Sequence, residues 1–172
     1  MLQNRTKEEL LLIVLFVLSF FAFVDGAYLT YLHYNPAASE FCNFGQSLNC
    51  DAVNKSPYST LDNIFYFLAV DLGISVPIIT ISIPIAIMSL AVFLLIKIGI
   101  IHVWHKKSIG WFTHRHIMRT IQWTLFVSLL YGVWLIYIQK FILHTFCVFC
   151  LVLDFLILLS LITAWSIDHK KL

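Results

Sequence analysis

Charge is scarce in this chain. Asp, Glu, Lys and Arg supply only 12% of its 172 residues, whereas 60% are hydrophobic. With a mean hydropathy of +0.90, that apolar content exceeds what a soluble core of this size can bury, which excludes a soluble globular fold. The formal net charge is +2, and the basic residues are spread along the chain rather than gathered in an arm, so nucleic acid is excluded as a partner. No small-x-small cleavage site follows the first apolar run, which is expected to remain as an anchor rather than leave as a signal peptide. Repeats and low-complexity tracts are missing too, and a single domain over 1–172 is expected. No ligand pattern for haem, flavin or an iron–sulfur cluster is visible. Cysteine is limited to four residues.

Four long apolar runs are present, over about 10–31, 65–96, 117–138 and 145–166. Each is long enough, at about 1.5 Å per helical residue, to cross the roughly 30 Å hydrocarbon layer. Asp25 and Asp71 interrupt the first two, and Pro77 and Pro84 are expected to kink the second. A polar segment over 33–62, with Pro36, Gly45 and Pro57, cannot cross lipid. The fold class read from this pattern is an all-α membrane protein, a four-transmembrane-helix bundle with an extracytoplasmic cysteine-containing loop or cap.

Basic residues set the orientation. Four spans place the amino terminus, a connector from Lys97 to Arg119 and the tail on one side, with Arg5, Lys7, Lys97, Lys106, Lys107, Arg115, Arg119, Lys170 and Lys171. The other side holds Lys55 and Lys140. The positive-inside rule then makes both termini cytoplasmic and puts the polar loop outside. A bacterial or archaeal plasma membrane is expected, or the endoplasmic reticulum in a eukaryotic cell.

The cysteines come two and two. Cys42 and Cys50 lie in the polar loop, and Cys147 and Cys150 form a Cys-x-x-Cys pair at the head of the fourth run. Both pairs are expected to face the oxidising compartment, where disulfides persist. A dithiol three residues apart falls on one helix face and can close a disulfide. If Thr145 caps the fourth helix, Cys147 lies in its first turn, where unpaired N–H groups favour a thiolate. Exchange between the pairs would then pass through a mixed disulfide.

Electrons collected at that depth need a lipid-soluble two-electron acceptor, and a quinone meets that need. It would require an apolar pocket with a few polar groups. Asp154 shares a helical stripe with Cys147 and Cys150, and an ionisable residue inside a span is a functional candidate by default. Phe146, beside the pair, is grouped with it as a pocket candidate. Other readings stay open. Cys42 and Cys50 could be a static staple, and the Cys-x-x-Cys pair could be inert packing. A closed zinc site of four cysteines would hold one pair fixed at a lipid boundary, so no metal is expected. Asp154 could simply be hydrogen-bonded to a neighbouring helix.

The order of these features resembles the vitamin K epoxide reductase family and its prokaryotic members. The resemblance rests on Asp25-Gly-Ala-Tyr-Leu-Thr-Tyr-Leu-His33, on Cys42 and Cys50 with Ser56 following, and on Cys147-x-x-Cys150. Gly73-Ile74-Ser75-Val76 is similar to a segment of prokaryotic members near the second span. The resemblance implies a four-helix bundle around a quinone of the ubiquinone, menaquinone or vitamin K type, and exchange with a separate thioredoxin-fold protein. By it, Cys42 meets the partner, Cys50 exchanges with Cys147, and Cys150 reacts with the quinone, while Ser56 sits in the cap. Animal members carry Tyr and Asn at pocket positions that here read Asp154 and Val76. The function expected is a quinone-dependent thiol oxidoreductase supporting disulfide formation. The alternatives are a vitamin K epoxide or quinone reductase and a membrane scaffold with structural disulfides.

Overall fold

A computed structural model describes residues 2–35, 42, 43, 45, 47–61, 83–104 and 114–167, with side chains from Lys7 onward. Among the described residues five helices occur: α1 (Leu2–Tyr34), the short α2 (Cys50–Asn54), α3 (Ile85–Trp104), α4 (His114–Phe141) and α5 (Val148–Ser166). A single 3-10 turn, Pro57–Ser59, follows α2. Four of these helices are long and apolar enough to cross a membrane: Lys7–Tyr34, Ile85–Trp104, His114–Phe141 and Val148–Ser166. The chain is an all-α, four-span integral membrane protein.

In α1 the buried positions are Glu8, Leu12, Leu15, Ser19, Ala22, Asp25, Leu29 and Leu32, recurring every three or four residues. That spacing is one helical stripe. Gly26 is buried as well, Leu11, Phe16 and Phe23 are half-buried against the core, and Phe20, Phe21, Val24 and Tyr31 are exposed on the protein surface. Apolar side chains on that surface are what lipid requires. Asp25 does not interrupt the helix, because one buried carboxylate leaves the backbone ladder intact.

The chain divides into two compact units. The first comprises Met1–Val24, Ala91–Val133 and Leu153–Leu172. Its core gathers Leu12, Leu15, Phe93, Ile100, Met118 and Leu125 among others. Gln122 Nε2 donates to the Ala164 carbonyl at 2.8 Å, which ties α4 to α5. Gly132 faces Asp154: a Cβ built on the glycine would stand 2.7 Å from Asp154 Cγ and closer still to Oδ1. A side chain at 132 would force that carboxylate to move. The second unit comprises Asp25–Leu90 and Trp134–Val152, and it holds all four cysteines.

Several segment ends differ from the hydropathy reading. The second run continues to Trp104, so Lys97 lies within α3 rather than in a connector. Its ammonium sits 4.0 Å from the Phe23 ring centroid and 4.9 Å from that of Phe20. Attraction to aromatic faces offsets part of the cost of a cation there. Helix α4 extends past its apolar core through His114–Arg115 at one end and Gln139–Phe141 at the other. Helix α5 begins at Val148, three residues later than expected. The expected start of the second span, with Asp71, Val76 and Pro77, lies outside the described residues.

Candidate functional site: two cysteine pairs joined by a backbone bridge

The loop pair is closed. Cys42 and Cys50 form a disulfide with Cα atoms 5.6 Å apart, and both residues are 0% exposed. Cys50 opens α2, whose N-cap is Asn49; the Asn49 side chain accepts the Ala52 N–H at 2.9 Å. The short helix is pinned at its other end. Asn54 Nδ2 donates to the Leu29 carbonyl at 2.7 Å, and the Asn54 carbonyl lies 2.7 Å from His33 Nδ1. A carbonyl can only accept, so His33 carries its proton on Nδ1 in this contact.

Beyond α2 the chain stays tied down. Ser56 is buried, and its carbonyl accepts both the N–H and the hydroxyl of Ser59, at 3.0 and 2.8 Å. Thr60 bridges Pro84, and the Leu61 N–H donates to the Ile83 carbonyl at 3.0 Å. Ser56 thus sits in the same folded cap as Cys50.

The helix-borne pair is in the thiol form. Cys147 is 0% exposed and Cys150 is half-buried. Thr145 is not the helix cap. Cys147 immediately precedes Val148, the first residue of α5, and its Sγ accepts the Cys150 N–H at 3.1 Å. That is the bond an N-cap side chain makes to the third helical residue. The sulfur itself therefore occupies the N-cap position of α5.

Gln139 ties the turn ahead of α5 to the end of α4. Its backbone carbonyl accepts the Thr145 N–H at 3.1 Å, and its side-chain Oε1 accepts the Cys147 N–H at 2.8 Å. Both N–H groups are drawn back onto the last turn of α4, and the Phe146 carbonyl is taken by the Asn49 N–H rather than by a residue of α5. His144 completes the reversal in a left-handed conformation, φ 52°.

The two pairs are brought to one place by the backbone. Leu48 and Phe146 form a parallel bridge; the Phe146 N–H donates to the Ser47 carbonyl and the Asn49 N–H to the Phe146 carbonyl, each at 3.0 Å. Strands so paired lie about 4.8 Å apart. Cys50 follows one side of the bridge by two residues and Cys147 follows the other by one. Phe146 thus acts through its main chain. Next to Cys150, the Phe149 ring packs on Tyr28 with centroids 4.6 Å apart.

Of the residues singled out from sequence, Cys42, Cys50, Ser56, Phe146, Cys147 and Cys150 share the second unit. Asp154 belongs to the first, and Val76 lies outside the described residues. Sequence reading missed Gln139, Asn54 and His33. An amide in the last turn of an apolar helix, shortly before a Cys-x-x-Cys, was the available signal for Gln139. Both residues of the loop disulfide are fully buried. Among the described residues no group of three His, Cys, Asp or Glu side chains is placed to hold a metal.

A search of curated proteins yields no match. The family model described as the vitamin K epoxide reductase family matches residues 13–165. That stretch runs from the first span to the end of the fourth and includes both cysteine pairs, so this chain belongs to the vitamin K epoxide reductase family.

Proposed function

We propose that the chain is a quinone-dependent thiol oxidoreductase that supports disulfide-bond formation by oxidising a thioredoxin-fold dithiol protein. Family membership supports an oxidoreductase with a quinone-linked redox function. The observation that carries the finer reading is the bridge between Leu48 and Phe146, which sets an oxidised pair beside a reduced one.

The relay balances as follows. A partner thiolate attacks Cys42, and Cys50 leaves; the partner's second thiol then closes its own disulfide and frees Cys42. Cys50 attacks Cys147 of an oxidised Cys147–Cys150 pair, forming a Cys50–Cys147 bond while Cys150 leaves as thiolate. Cys42 attacks Cys50, restoring the loop disulfide and releasing Cys147. Loop oxidised and helix pair reduced is the state seen here. Because Cys42 is buried, the first step needs the loop to open.

A quinone supplies the sink for two electrons and two protons as Cys147 and Cys150 close to their disulfide. The residues present suit such a ring. Cys150 is half-buried, the Tyr28–Phe149 pair offers an aromatic wall, and the buried Thr145 hydroxyl has no partner and is available to a carbonyl oxygen. Asp154 is assigned as a proton-handling residue for quinone reduction, and Ser56 and Val76 as cap and pocket positions. Lys and Arg are concentrated in the termini and the segment from Lys97 to Arg119 rather than in the loop, which supports an extracytoplasmic loop and cytoplasmic termini, in a bacterial or archaeal plasma membrane or in the endoplasmic reticulum of a eukaryotic cell.

The test is direct. Purified protein, prereduced and freed of reductant, is expected to convert ubiquinone or menaquinone to the quinol with one quinone consumed per protein dithiol oxidised. Failure to reduce any quinone, with the cysteines still able to exchange, would reject the acceptor.

A further inference from the structure

Gln139 stands out among the buried polar groups. It is 1% exposed, its Oε1 holds the Cys147 N–H at 2.8 Å, and its Nε2 has no hydrogen-bond partner. The orientation is not arbitrary, since a flipped amide would set two donors against each other. A half-satisfied amide in a buried place costs free energy that an apolar side chain of the same length would avoid. Packing alone therefore does not account for a glutamine here.

The same side chain fixes a residue whose sulfur changes partner in the relay. Cys147 is wholly buried, and its Sγ accepts the Cys150 N–H only while the residue keeps its place ahead of α5. A negatively charged sulfur accepts such a bond far more strongly than a disulfide sulfur does. Whatever holds that geometry favours the dithiol over the disulfide.

We propose that Gln139 is the positioning residue of the Cys-x-x-Cys pair: it anchors Cys147 through Oε1 and, by holding its sulfur where it accepts the Cys150 N–H, biases the Cys147/Cys150 pair toward the reduced state. The pair is thereby made a stronger oxidant of Cys50. This rests on Cys147 serving in the relay, but the test reads the pair's own equilibrium and needs neither quinone nor partner.

In a Cys42→Ala/Cys50→Ala background, the full-length protein is equilibrated in detergent with mixtures of reduced and oxidised dithiothreitol. Protein dithiol and oxidised dithiothreitol exchange for protein disulfide and reduced dithiothreitol. The disulfide fraction is then counted by mass-shift alkylation after unfolding. An equilibrium is read rather than a rate, so burial of Cys147 does not distort it.

Gln139→Met, similar in size but without either polar atom, is expected to shift the constant toward disulfide by about three- to tenfold, the effect of one or two lost hydrogen bonds. Gln139→Glu keeps an acceptor for Cys147 N–H but puts a carboxylate where the donor was, and is expected to shift it further the same way. A role confined to the turn would lower thermal stability and leave the constant in place. Gln139→Met within twofold of wild type overturns the assignment, whatever Gln139→Glu does. Should Gln139→Met fail to fold, Gln139→Glu at the wild-type value overturns it equally.

Discussion

Asn54 reaches from the end of α2 to the carbonyl of Leu29 on α1, at 2.7 Å, and its own carbonyl meets His33 one turn further along. One side chain and one main-chain group thus fasten the helix that starts at Cys50 to the end of the first span. Both contacts are made where Asn54 is buried, which raises what they are worth.

Asn54→Ala removes the donor to Leu29 and leaves a cavity beside it. A loss of about 1–3 kcal/mol is expected, with faster reduction of the Cys42–Cys50 disulfide by an added thiol. Thermal unfolding in detergent and the rate of disulfide reduction check this. Unchanged values for both would mean that the clamp does not hold the loop.

Gly132 and Asp154 are set so close that a methyl group on the glycine would meet the carboxylate. Gly132→Ala is expected to destabilise the protein by about 1–3 kcal/mol. Adding Asp154→Ala should recover part of that loss, because the two sites are in contact and not additive. A neutral Gly132→Ala in thermal unfolding would contradict the close approach.

Asp154 lies one turn beyond Cys150 on α5, in a span where a carboxylate is costly and so calls for a role. Asp154→Asn keeps the size and removes the ability to carry a proton. Quinol formation is expected to slow by about a hundredfold or more, within the range proton transfer contributes to catalysis, with the Cys42–Cys50 disulfide intact. Kinetics and pH profile equal to wild type would reassign Asp154 to packing.

The cysteines and the spans were legible because they rest on local features. Hydropathy marks a span whatever it packs against, and the three-and-four spacing from Leu12 to Leu32 is a property of one helix. Span ends were not legible. Lys97 reads as a boundary by charge, yet the helix passes through it because the Phe20 and Phe23 rings are there to receive it. The Gln139 contact to Cys147 and the pairing of Leu48 with Phe146 depend on how the chain turns back on itself, so neither is written in its neighbours. Asp154 could be flagged as an ionisable residue in a span; its fit against Gly132 required the fold.

The most direct measurement on the relay is the fate of Cys147 when its resolving partner is removed. In a Cys150→Ala variant expressed in a membrane with an oxidising outer face, mass spectrometry of the digested protein is expected to find a Cys50–Cys147 crosslink, together with loss of disulfide formation in a secreted reporter. Cys147 left entirely as thiol, with reporter oxidation at the wild-type level, would contradict electron transfer between the two pairs.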